Sequence, residues 1–224
     1  MPSAPLFSKT LAALTLAVST VVALAVLTGC AETGTRDTLD GVVVGAAEQA
    51  ERDHDYQTAI RRYAALYDHK PDDVGVILGL ARNLRYAGRF EEAQRLLDEA
   101  PPRLGPLPRL LLERGKDEIA LGHADRAVET LTAAVKGAPT DWEPAATLAV
   151  AFDRLGRTEE AEAQYRAATA LNPENADVLN NHALSRALAG HLDEALSLLR
   201  RAVLLPSAGP RIRANLAFLE TLHP

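Results

Sequence analysis

Five alanines, Ala59, Ala93, Ala127, Ala161 and Ala195, stand 34 residues apart, inside the stretches DYQTAIRRY, RFEEAQRLL, ADRAVETL, TEEAEAQY and LDEALSLL. A fixed period of this size dictates architecture before any single element is assigned. A unit that short cannot bury its own apolar face and has to stack on copies of itself. Numbering each unit so that this alanine is position 20 divides the chain into 40–73, 74–107, 108–141, 142–175 and 176–209, with no insertion between any two.

Other columns keep the same register. Position 8 is small throughout (Ala47, Ala81, Gly115, Ala149, Ala183), and position 15 is glycine in four units (Gly88, Gly122, Gly156, Gly190) and His54 in the first. Position 24 is bulky: Tyr63, Leu97, Leu131, Tyr165, Leu199. A small residue at 8 lets a first helix, A, approach a second, B, at the alanine of position 20, and glycine supplies the backbone freedom of the turn between them. Pro71, Pro139 and Pro173 at position 32 end helix B, because proline lacks the N–H and the φ range to continue. The spacing and columns resemble the tetratricopeptide repeat (TPR). That resemblance implies an all-α chain, a right-handed superhelical solenoid of five helix-turn-helix repeats.

Local signals agree with this register. In LNPENADVLNN, Asn172 ends a helix, Pro173 stops it and Asn175 caps the next, with Asp177 near the positive end of its dipole. Val178, Leu179, Ala183, Ala187 and Leu188 follow a helical period. The segment PRIRANLAFLETL, with Ile212, Leu216 and Leu219 on one face, is expected to cover the last unit as a C-terminal capping helix over 210–224. Pro101, Pro102, Pro106 and Pro108 crowd the second junction, so helix B of that unit should stop near Ala100. The link that follows is either a stiff spacer or a partner-docking or hinge element.

Catalytic patterns are missing from the sequence. The six histidines show no HExxH-type ligand spacing, and no glycine-rich phosphate loop or serine elbow occurs. The acidic pairs of RFEEAQ, RTEEAE and LDEALS sit where a B helix begins, which the helix dipole explains. The expectation is therefore a non-enzyme with no cofactor, no metal and no small-molecule substrate. What remains is the inner surface, lined in such arrays by the A helices at positions 2, 5, 9, 12 and 13. There the early units place Glu48, Glu51, Arg52, Arg82, Arg85 and Tyr86. The later ones place Lys116, Ile119, Val150, Asp153, Asn180, Leu184 and Leu188. Such a groove, charged at one end and apolar at the other, suits a peptide of matching polarity. Arg82, Arg85, Tyr86, Lys116, Asn180 and Leu184 are its candidate contacts. Asn180 is a residue type of carboxylate-clamp repeats, but the matching lysines are absent.

The chain carries one cysteine, Cys30, in VLTGCAET. It therefore has no internal disulfide and must be held by packing. Upstream, Lys9 precedes an apolar run from Leu11 to Leu27, the layout of an export signal over 1–29. An uncleaved membrane helix is the alternative, though the run is slightly short for one. Leu27-Thr28-Gly29-Cys30 resembles the lipobox of bacterial lipoproteins, which implies cleavage before Cys30 and lipid on its sulfur. Residues 30–39 would then form a lipidated tether. Losing Lys9 takes the net charge from -6 to -7, which disfavours a nucleic-acid partner.

The C-terminal part resembles the TPR lipoprotein of the Flp, or tight adherence (Tad), pilus assembly system. The likeness rests on Asn180-Asn181, Ala183-Leu184-Ser185, Leu199-Arg200-Arg201-Ala202, the Pro206 to Pro210 link and Asn215-Leu216-Ala217. His182 departs from it, standing where an aliphatic residue is usual. The resemblance implies a lipoprotein of the bacterial envelope, sorted to the outer membrane because Ala31 rather than Asp follows the cysteine. Its implied partners are the secretin or other pilus components. A general periplasmic adaptor for cell-envelope enzymes shares every feature except this C-terminal likeness, and a spacer without ligand is a third reading.

Overall fold

A computed structural model describes residues 38–100 and 104–222, and among these eleven helices follow one another with no strand. Helix α1 covers 38–52; α2 is Tyr56–Tyr67, α3 Val74–Tyr86, α4 Phe90–Asp98, α5 Pro108–Ala120 and α6 Ala124–Gly137. Then come α7 Trp142–Arg154, α8 Thr158–Leu171, α9 Ala176–Leu188, α10 Leu192–Val203 and α11 Pro210–Leu222. The helices pair in order, α1 with α2 through α9 with α10, and α11 closes the series. The expected export segment 1–29, Cys30, the tether as far as residue 37, and Pro101, Pro102 and His223 lie outside the described residues. Residues 38 and 39, the end of the expected tether, are already helical. No described helix is long and apolar enough to cross a membrane.

Each pair closes on the small-residue columns. Ala47, Ala81, Ala149 and Ala183 at position 8 and all five alanines at position 20 are completely buried. At Gly115 a Cβ would stand 2.4 Å from Leu131, so only glycine lets α5 and α6 approach this closely. Between the helices of each pair the chain reverses through a left-handed residue: φ is +74 at Gly88, +80 at Gly122, +69 at Gly156 and +84 at Gly190. His54 takes the same conformation, at +60, in the first pair.

The two kinds of helix start differently. Among the A helices, Asp73, Asp141 and Asn175 accept hydrogen bonds from the N–H groups of Gly75, Glu143 and Val178, and α5 opens on Pro108. Among the B helices α2 is the exception, capped by Asp55, which accepts from the N–H of Thr58, whereas α4, α6, α8 and α10 have no side-chain cap. Each of these four instead carries at least one acidic residue in its first turn, facing the positive end of the dipole. Helix α4 has nine residues where α6 and α8 have 14, and it ends two residues before Ala100, ahead of the proline-rich link.

The apolar core is segmented. One cluster joins α1 to α4 and takes in Leu110 at the start of α5; a second joins α5 to α8; a third joins α9 to α11. A small cluster of Ala145, Ala168 and Val178 bridges the second to the third. Helix α11 packs through Ile212 and Leu219, both buried, and half-buried Leu216. It is fastened by Asn215 Nδ2 donating to Asn180 Oδ1 at 2.7 Å and by the Arg211–Asp177 pair at 2.8 Å.

Candidate binding groove

Side chains from successive A helices meet along one face of the stack. Between α1 and α3 lies an open cavity of ≈ 450 Å³. Its floor is the Arg82–Glu51 fork, with Nε and Nη2 donating to Oε1 and Oε2 at 2.6 and 2.9 Å. Asn83 Nδ2 adds a third donor to Glu51 at 3.1 Å. One wall is aromatic: the rings of Tyr56 and Tyr86 lie 5.1 Å apart, and His54 meets Tyr56 edge-on at 5.9 Å. Glu48 and Arg52 stand at the mouth.

A second cavity, of ≈ 270 Å³, lies between α5, α7 and α9. Ile119, Trp142, Ala146, Val150 and Val178 make it mainly apolar, and Lys116, Glu143, Asp177 and Asn181 edge it. Lys116 Nζ is held between Glu113 at 2.9 Å and Glu143 at 2.7 Å, which sets its charge across the junction of two units. The polarity expected along the groove, charged first and apolar later, thus has a physical counterpart in the two cavities.

The six candidate contacts do not share one environment. Arg82 and Tyr86 line the first cavity and Lys116 the second. Leu184 is half-buried at position 9, one unit beyond Val150. Arg85 instead points into the stack. It donates to Glu113 Oε2 at 2.5 Å and Asp117 Oδ1 at 3.1 Å, tying α3 to α5, and also lies over the Tyr86 ring. Asn180 is fully buried, bonded to Asn181 and Asn215, so the accessible amide at that level is Asn181.

Two buried polar groups were not legible in the sequence. The first surrounds Arg85. Burial works against the Glu113 carboxylate, but Arg85 and Lys116 together outweigh it and hold its pKa below the usual value. Asp117 fares differently. Burial pushes it up to about 7 despite Arg85, because that guanidinium is shared with Glu113 and Asp117 Oδ2 has no partner. The second group lies between α7, α8 and α9. Asp153 accepts from Tyr165 Oη at 2.9 Å and Ser185 Oγ at 2.7 Å, while His182 Nε2 lies 2.6 Å from Glu162 and its ring stacks on Tyr165. Serine here donates to a carboxylate and the imidazole faces another, so the set joins helices and assembles no nucleophile with its base. No group of three potential metal ligands occurs among the described residues.

A family model described as tetratricopeptide repeat matches residues 50–110 and 118–185. Among solved structures, a thermophilic TPR protein of Thermus thermophilus superposes with a TM-score of 0.74 at 18% identity, over 81% of this chain and 99% of that one. MamA of Desulfovibrio magneticus RS-1 gives 0.60 at 17% identity over 76% and 97% of the two chains. YrrB, described as a TPR protein with an unusual peptide-binding site, gives 0.55 at 19% over 80% and 89%. At these identities the likeness is one of fold. No curated protein matches the chain.

Proposed function

Because the chain belongs to the tetratricopeptide repeat family, whose members are scaffolds for protein–protein contacts, we propose that it holds a segment of a partner protein along its A helices while a lipid on Cys30 fixes it to the bacterial envelope. The observation that carries the groove reading is the change of lining between the two cavities. Ion-paired and aromatic groups give way to Ile119, Ala146, Val150 and Val178. A peptide laid along such a surface is held in one direction, since reversing it would set its apolar side chains on the Arg82–Glu51 fork.

The assignment to Flp/Tad pilus assembly rests on the C-terminal sequence pieces from Asn180 to Ala217, and the outer-membrane address on the residues around Cys30. In this reading the partner is the secretin or another pilus component, and the scaffold brings it to the membrane in which it multimerises. YrrB, a peptide binder of the same fold, supports the use of such a face for a peptide.

A photo-crosslinking residue at Val150, introduced into the full chain in its own cells, tests this. Expected is a covalent adduct with the secretin or a pilus assembly protein that is lost when competing partner segment is supplied. An adduct with cell-wall enzymes alone would favour the general adaptor. In parallel, labelled palmitate should enter the wild-type chain and fail to enter Cys30→Ser.

A further inference from the structure

Helix α11 does more than cover the last pair. It stands where the A helix of a sixth unit would stand: Arg211 meets Asp177 across 34 residues and Asn215 meets Asn180 across 35. Ile212 repeats the buried place of Val178. Position 9 of the inner face therefore runs on from Val150 and Leu184 to Phe218. Position 13 runs from Leu188 to Leu222. Three of these are large apolar side chains left open to water, Leu188 at 85%, Phe218 at 61% and Leu222 at 54%. Leu184 with Leu188 and Phe218 with Leu222 are i,i+4 pairs, so α9 and α11, neighbours along the inner face, each present a double apolar rung. Packed helices lie about 8–10 Å apart, close to the rise of two turns of helix.

The charges on the same face have a sign. Arg52, Arg109 and Arg154, at positions 13, 2 and 13, have no carboxylate partner among the described residues. Among the carboxylates at the inner-face positions, Glu51 is paired with Arg82, Glu143 with Lys116 and Asp177 with Arg211, whereas Asp153 meets two neutral hydroxyls and Glu48 has no cationic partner among the described residues. The charges left without an ion pair on this face are thus Arg52, Arg109 and Arg154 against Glu48 and Asp153, a positive excess in a chain whose net charge is -6.

We propose that the groove takes an acidic amphipathic helix of its partner. Bulky apolar side chains lie over the rungs of α9 and α11, and carboxylates reach toward Arg154 and Arg109. This rests on the groove reading above and adds the partner's chemistry and direction. Apolar contact supplies most of the attraction, and the arginines select against basic segments.

The probe is a fluorescein-labelled helical peptide of about 18 residues with leucines at i, i+3, i+7 and i+10 and glutamates on the flanks, compared with the same peptide carrying lysines. Both are titrated into the full chain in detergent. The glutamate peptide should bind about tenfold tighter or more, Phe218→Ser should weaken it about tenfold, and Phe218→Leu should keep it. Arg109→Glu combined with Arg154→Glu should remove the preference for glutamate. Equal binding of the two peptides, no binding of the glutamate peptide, or indifference to Phe218→Ser overturns the proposal. So does binding of Cys30→Ser to phosphatidylglycerol vesicles that Phe218→Ser abolishes, since the rungs would then face lipid. If the Val150 crosslink forms while the peptides fail, this inference falls and the groove reading stands. If the crosslink is silent while the glutamate peptide binds as expected, the pilus assignment falls and the acidic-partner inference stands.

Discussion

His54 occupies the left-handed turn that glycine fills in the other four pairs, with φ +60. A side chain in that conformation costs about 1–2 kcal/mol, part of which glycine gives back through a freer unfolded chain. His54→Gly should therefore stabilise the protein by about 1 kcal/mol in a denaturant melt. Ala161 shows the opposite constraint. It is completely buried where α8 crosses α7, and Ala161→Leu should overpack that crossing and cost about 1–3 kcal/mol. A thermal melt unchanged by the leucine would mean that the crossing is not where the columns put it. Both positions were legible in the sequence, because a residue repeated every 34 positions reports a backbone demand that each unit shares. Asp117 was not. Its position holds Gln49, Asn83, Ala151 and Ser185 in the other units, so no column marks it, and its surroundings depend on Arg85 arriving from the preceding unit.

At the scale of elements, the contact between α3 and α5 differs from the rest. The first apolar cluster takes in Leu110 of α5 and the second takes in Leu112, while Arg85 of α3 is ion-paired with Glu113 and the fully buried Asp117 of α5. Since Asp117 is pushed up to about 7 in the fold against an ordinary 3.8, the folded state keeps a proton that the unfolded chain has already released. Its stabilising contribution is complete below about pH 4 and is lost as pH rises toward 7. Urea melts between about pH 4.5 and 8 should show stability falling with pH through this group, and Asp117→Asn should flatten that slope. The early end of α4 was legible, since prolines bar helix. The ionic character of this contact was not, because acidic residues on a helix are more often solvated.

For the whole molecule, stacked units with segmented cores behave as coupled neighbours and not as one cooperative body. Native-state hydrogen exchange should find the amides of α1–α4 opening together, in a step separate from those of α5–α8. A single opening step for both would show that the charged contact couples them as tightly as apolar packing does. The five-pair order and the closing helix followed from period alone, whereas the direction of the groove's charge required knowing which arginines are already paired. Stretched between its termini, such a stack would rupture first where guanidinium and carboxylates, once parted, are rewarded by water. An optical-trap trace would then show an early rip at the Arg85 knot that frees two hairpins, with the remaining coils yielding at higher load.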